Sequence, residues 1–133
     1  MRAPLSKILY VDDERDVRVV AEIALTRIGG YEVVVAASGM EALDTLRDFD
    51  ADLVLLDVVM PEMDGPETLQ AMRMNPATAR LPVAFVTARH QPRDLHRYRL
   101  LGIAGVIAKP FDPMSLPSQV LNVWDGLTRP AVS

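Results

Sequence analysis

Five polar residues stand where apolar runs of this chain break off, and as a set they suit phosphorus chemistry. Asp12 and Asp13 follow Lys7-Ile8-Leu9-Tyr10-Val11. Asp57 closes Asp52-Leu53-Val54-Leu55-Leu56, Thr87 follows Leu81 to Val86, and Lys109 follows Gly105 to Ala108. Three carboxylates on one edge repel: two unit charges about 4 Å apart cost about 4 kcal/mol at an effective dielectric of about 20. A hard divalent cation removes that cost. Mg²⁺ favours a few carboxylates plus water, and Mn²⁺ accepts the same donors. Such an ion keeps Asp57 ionised as a nucleophile toward phosphorus. Lys109 and Thr87 would neutralise the incoming phosphoryl oxygens and donate to them. Each residue alone has an ordinary reading: acids favour a helix N-terminus, and a lone Thr or Lys is usually solvated surface. Their joint placement on strand ends points instead to an aspartyl phosphate.

Elements that alternate between strand and helix would position these groups. After the first strand, Glu14 to Ile28 sets Val17, Val20, Ala21, Ala24, Leu25 and Ile28 on one face at helical spacing, and Gly29-Gly30 stops it. Tyr31 to Val35 is a β-branched second strand. Ser38 and Glu41 predict a capping box opening a helix that carries Leu43 and Leu46. The continuous apolar run ending at Asp57 predicts a strand covered on both faces. Asp64-Gly65-Pro66 predicts a turn into a third helix. Leu81 to Val86 is a fourth strand, Arg93 to Leu101 a short charged helix, and Gly105 to Ala108 a fifth strand. Leu116, Val120, Val123, Trp124 and Leu127 trace a last helix ended by Gly126 and Pro130. Strict alternation predicts an α/β fold, a parallel sheet with helices on both faces. Ligands of such a sheet bind at the carboxyl ends of its strands.

Composition narrows the classes. A chain of 133 residues fits one domain, read here as residues 1–133 with a core of about 5–127 and a short C-terminal tail. No cysteine is present, which excludes disulfides, thiolate zinc sites and cysteine nucleophiles. A net charge of −4 disfavours general nucleic-acid binding, which needs a basic footprint. No apolar run approaches the ~20 residues of a membrane span. Acids directly after the first apolar stretch argue against a secretory signal. The expected location is the cytoplasm. No G-x-G-x-x-G or G-x-x-x-x-G-K pattern occurs, which disfavours nucleotide binding.

On these residues the chain resembles the response-regulator receiver domains of two-component signalling, in the manner of single-domain chemotaxis regulators. The motifs are Val11-Asp12-Asp13-Glu14, Asp57-Val58-Val59-Met60-Pro61-Glu62-Met63-Asp64-Gly65, Leu81-Pro82-Val83 with Val86-Thr87-Ala88, and Lys109-Pro110-Phe111. Each alone is weak, but in this order and spacing they are specific. The resemblance implies a doubly wound, flavodoxin-like sheet of five strands in the order 2-1-3-4-5. It implies that Asp57 accepts a phosphoryl group from a histidine of a sensor kinase or phosphotransfer protein. It implies that Asp13 and Asp57 bind Mg²⁺ directly and Asp12 through water, with the backbone carbonyl of Val59 completing the protein ligands. Thr87, Ala88 and Lys109 would contact the phosphoryl group, and the Lys109–Pro110 bond would be cis. The phosphorelay switch so implied is no enzyme beyond promoting its own aspartyl phosphorylation and dephosphorylation.

Two departures from the family pattern bear on output and phosphate lifetime. The aromatic usual midway along the fifth strand is Val106 here, and the positions flanking the attacking water are Val59 and Arg89. The output is therefore expected to pass through residues 88–101. That segment carries Arg89, Arg93, Arg97 and Arg99 against Asp94 and supplies Tyr98. A downstream protein target would bind there, without direct nucleic-acid contact or membrane insertion, and the chain would be a monomer or weak homodimer. His90 and His96 read as solvated surface, and Met60, Met63, Met72 and Met74 as core and loop filling. Two other functions remain: a receiver-fold interaction module not controlled by phosphorylation, and an aspartate-nucleophile phosphohydrolase. The latter wants a second Asp two residues after Asp57, where Val59 stands.

Overall fold

The computed structural model describes residues 3–127. Its strands are β1 (Lys7–Val11), β2 (Glu32–Ala36), β3 (Leu53–Asp57), β4 (Val83–Thr87) and β5 (Gly105–Ala108). Between and after them run α1 (Arg15–Ile23, continued by a π turn over Ala24–Ile28), α2 (Gly39–Thr45), α3 (Gly65–Met74), α4 (Pro92–Leu100) and α5 (Leu116–Gly126). Every pairing is parallel and the order is β2-β1-β3-β4-β5, the doubly wound sheet expected from the sequence. From β1 the sheet is wound outward in one direction to β2 and in the other to β3, β4 and β5, and this switch opens a crevice at the carboxyl ends of β1 and β3. Val11 lies beside Leu56 and Asp57 beside Val86, so Asp12 and Asp57 reach the same level of that crevice.

Alternation along the strands sorts the core into two layers. On one face Ile8, Tyr10, Leu53, Leu55, Val86 and Ile107 pack with Ala21, Leu25, Leu116 and Val120. On the other, Leu9, Val11, Leu56 and Phe85 pack with Ala42, Leu69, Met72 and Tyr98. All five residues of β3 and of β4 are buried, as continuous apolar runs require. Full burial of each Leu or Ile contributes about 2 kcal/mol. That holds the central strand ends, and the polar groups on them, in fixed positions.

Local chemistry moved several boundaries. The fourth strand starts at Val83 rather than Leu81, because Pro82 has no N–H to add to a ladder, although its carbonyl accepts from Val54 N. The expected face of the first helix is only partly buried: Val20 is 40% and Ile28 48% exposed. Gly29 N donates to Ala24 O, five residues back, and this wider turn rotates Ile28 off the core face. Of the methionines read as filling, Met60 and Met72 are buried but Met74 is exposed. Ser38 accepts from Glu41 N as expected, yet Glu41 Oε2 accepts from Ala37 N, one residue before the cap, so the box does not close on itself. A complete box forms instead at Asp64 and Glu67, where the sequence showed only a turn. Gly65 after it leaves no room for a side chain: a Cβ would sit 2.6 Å from Asp57 O and 2.8 Å from Val58 Cα. The loop from Asp57 to α3 can thus lie flat against the strand that ends in Asp57. Pro130 and the expected C-terminal tail lie outside the described residues.

Candidate functional site

The carboxyl ends of β1, β3 and β5 bring Asp12, Asp13, Asp57 and Lys109 together. One carboxylate oxygen from each of Asp12, Asp13 and Asp57 lies within 4.8 Å of the others. Asp12 and Asp57 are buried, whereas Asp13 faces solvent. Lys109 Nζ stands among the acids, 2.9 Å from Asp12 Oδ2, 3.4 Å from Asp57 Oδ2 and 3.3 Å from Glu14 Oε1. Asp12 is the most heavily engaged of the three. It accepts from Tyr10 OH (3.2 Å), Glu14 N (2.9 Å) and Lys109. Arg18 Nη1 donates to the Asp12 carbonyl at 2.8 Å.

The electrostatics follow from burial and neighbours. Burial is the main cause that pushes the Asp57 carboxyl up to about 6. The charge of Asp12 adds to the rise, while Lys109 and the Val59 N–H oppose it. Burial alone would pull Lys109 down. The hydrogen bond and charge of Asp12, the charge of Asp57 and the hydrogen bond to Glu14 outweigh it and hold the ammonium charged beyond the usual lysine range. Burial, then the Asp12 carboxylate, also raises the Tyr10 phenol, which stays neutral and donates. An excess of negative charge in a buried crevice, with one ammonium to balance it, is a setting for a hard cation and an incoming anion. Asp13, exposed and with the fewest protein partners of the three, is well placed to take a cation directly.

Of the remaining expected residues, only Val59 is bonded to this cluster. Thr87 is buried at the end of β4, and its Oγ1 accepts from Arg89 N at 2.9 Å. Asp57 shares its sheet face with Val86, so by alternation Thr87 points to the opposite face. Ala88 and Arg89 are exposed on the turn after β4, and Val59, 52% exposed, donates its N–H to Asp57 Oδ1 at 3.4 Å. Val106 is half-buried beside Phe85 in the register of β4 and β5. The Lys109–Pro110 bond is cis. His90 and His96 are exposed, in keeping with a surface reading.

Sequence reasoning missed the part played by two residues, and one contact of a third. Tyr10 precedes Asp12 by two and so shares its face, a signal that was there to be used. Glu14 stood in the same acidic run. The contact of Tyr98 OH with Arg89 O at 2.9 Å had no signal in the linear pattern.

Comparison with known proteins gives a consistent result. Residues 8–121 match the family model described as the response regulator receiver domain. Response regulator Rre1 of a Synechocystis species is 37% identical over 123 residues, 92% of this chain and 53% of that protein. Transcriptional regulatory protein CpxR of Escherichia coli is 38% identical over 116 residues, 87% of this chain and 48% of that protein. The chain thus spans about half the length of the curated relatives it matches. Among solved structures, chemotaxis protein CheY4 of Vibrio cholerae is similar at a TM-score of 0.82 and 32% identity, covering 90% of this chain and 99% of that one.

Proposed function

The chain belongs to the response regulator receiver domain family of two-component signalling, and from that premise we propose that it is a phosphorylation-controlled switch whose acceptor is Asp57. Family members are signalling modules rather than enzymes in their own right. The observation that carries the reading is the trio Asp12, Asp13 and Asp57 gathered within 4.8 Å around the Lys109 ammonium. An Asp57 carboxylate oxygen attacks the phosphorus of a phosphohistidine on a sensor kinase or phosphotransfer protein. The O–P bond forms as the P–N bond breaks, and the nitrogen leaves on the donor's imidazole. Lys109 turns from the carboxylates toward the new phosphoryl oxygens, with Thr87 and the Ala88 backbone as further contacts. Among the described residues no helix is long and apolar enough to cross a membrane.

The donor set fits Mg²⁺ or Mn²⁺: oxygen ligands only, two of them buried, with Asp13 open to solvent. Asp13 and Asp57 would hold the ion directly, Asp12 through water, and the Val59 carbonyl would complete the protein ligands. When bound, the ion supplies positive charge that offsets the carboxylates and the phosphoryl oxygens. In a tenfold excess over its Kd, Mg²⁺ is expected to stabilise the protein by about 1.4 kcal/mol, raising Tm by about 5 °C. The rise fades below about pH 6, where Asp57 takes a proton in competition with the ion. Asp13→Asn removes most of it. A melting curve indifferent to Mg²⁺ at pH 7 would contradict the metal site.

Phosphate loss is expected to be slow. Water must attack in line with the O–P bond. Val59 offers it no side-chain hydrogen bond, and Arg89, lining the same groove as Val59, can hold the phosphoryl oxygens. Combining Val59→Asn with Arg89→Glu should shorten the lifetime of the aspartyl phosphate severalfold. An unchanged or longer lifetime runs against this role for the pair. The output is assigned to residues 88–101, which carry the exposed side chains of Arg89, Arg93, Arg97 and Arg99, a face for an acidic protein target.

A further inference from the structure

The backbone of Arg89 is held at both ends. Its N–H donates to Thr87 Oγ1 at 2.9 Å, and its carbonyl accepts from Tyr98 OH at 2.9 Å. One residue thus links the buried hydroxyl at the end of β4 to Tyr98, the only phenol on α4. The Tyr98 ring is fixed by what surrounds it. It is 3% exposed and stands edge-on to Phe85, with centroids 5.1 Å apart and planes at 89°. Phe85 is also the register neighbour of Val106, so Tyr98 contributes aromatic bulk to the layer where β5 has only a valine.

We propose that the Tyr98 hydroxyl is a latch that keeps the turn after β4 in its resting form, and that its release of the Arg89 carbonyl carries the phosphoryl state of Asp57 to α4. The proposal rests on the phosphorylation reading above and names the residue that reads the switch. Thr87 faces away from Asp57, and its hydroxyl is engaged with Arg89 N–H. To donate to a phosphoryl group on Asp57 it must give up that partner, and Arg89 moves with the turn. The ring of Tyr98 need not swing, because extracting it from beside Phe85 would open a cavity in the core. Only the hydroxyl bond has to break. Tyr98 lines a groove of about 430 Å³ together with Val59, Met60, Arg89, Arg97 and Leu101, where water can replace the lost carbonyl. The moving segment begins at Arg89 and continues into the helix that bears Arg93, Arg97 and Arg99, so the arginine face changes shape when the latch opens.

A bond present only in the resting form opposes activation, and linkage makes the effect reciprocal. Tyr98→Phe keeps the ring and removes the bond. Calorimetric titration with beryllofluoride in saturating Mg²⁺ is expected to show roughly fivefold tighter binding to Tyr98→Phe than to the parent, the value of about one net hydrogen bond. In a Thr87→Ala background, where nothing pulls on Arg89, the same change should alter binding less than twofold. A packing defect would not depend on Thr87 in this way. In the parent itself, beryllofluoride should lower amide protection in residues 88–91 and leave 104–108 nearly unchanged, a measurement that needs no variant. Equal or weaker binding by Tyr98→Phe, a gain that persists without Thr87, or changes centred on 104–108 would each overturn the latch. A parent that does not bind beryllofluoride at all would overturn the phosphorylation reading beneath it.

Discussion

Replacing Lys109 by Ala is expected to lower the stability of the metal-free protein by about 3 kcal/mol at pH 7, the usual cost of stranding buried charge. The Lys109 side chain is 12% exposed, and it faces Asp12 at 0% and Asp57 at 6% side-chain exposure. No other cation is ion-paired to these two carboxylates among the described residues. Without the ammonium, two buried negative charges would face each other across the crevice. Lys109→Met keeps most of the aliphatic stem and should lose nearly as much, which separates charge from packing. Two conditions should restore stability to both variants. One is millimolar Mg²⁺, which supplies the missing charge. The other is a pH below about 6, where Asp57 is protonated; removing Lys109 takes away an influence that lowers its pKa, so that window widens upward. Urea denaturation at pH 7 and pH 5, with and without Mg²⁺, reads all of this. A loss under about 1 kcal/mol that ignores both pH and Mg²⁺ would mean that Lys109 is not the counter-charge.

Asp57→Asn should move stability the other way. Burial first, and the Asp12 charge second, raise the folded-state pKa to about 6 from its ordinary 3.8. Between about pH 4 and pH 6 the folded protein therefore holds a proton that the unfolded chain has released. Stability must fall as pH rises through that window and stay lower above it. At about 1.4 kcal/mol per pKa unit, the neutral amide should be worth about 1–3 kcal/mol at pH 7 without metal. The variant should also show a flatter profile between pH 4 and 6. Mg²⁺ should largely erase the difference, because it stabilises the parent and has lost a ligand in the variant. A variant less stable than the parent at pH 7 in the absence of metal would contradict the electrostatic picture of the crevice.

Much of this site was legible before any coordinates, and the reason is physical. A doubly wound sheet places binding groups at strand ends, and strand ends are where an apolar run meets a polar residue, as at Asp12, Asp57, Thr87 and Lys109. The continuous runs of β3 and β4 announced burial on both faces. The exact strand order came from resemblance, since alternation alone is compatible with several windings. The exposure of Ile28 was hidden because a π turn over Ala24–Ile28, closed by Gly29 N to Ala24 O, shifts helical phase without a sequence mark. The partner of Glu41 was hidden for a similar reason: its carboxylate takes the N–H of Ala37 rather than that of Ser38, and the pattern of residue types is the same for either. Tyr98 was noticed as a ring, but its bond to a backbone carbonyl nine residues away depends on how the turn after β4 folds back. Backbone acceptors have no residue code, so such contacts appear only in three dimensions.

The central claim is that Asp57 takes the phosphoryl group, and intact mass after incubation with acetyl phosphate and Mg²⁺ tests it most directly. The parent is expected to gain one phosphoryl group and to lose the gain when Mg²⁺ is chelated before the reaction. Asp57→Asn is expected to gain none under the same conditions, while remaining folded by its melting curve. A parent that gains no phosphate, or an Asp57→Asn variant that gains it as readily as the parent, would contradict the claim.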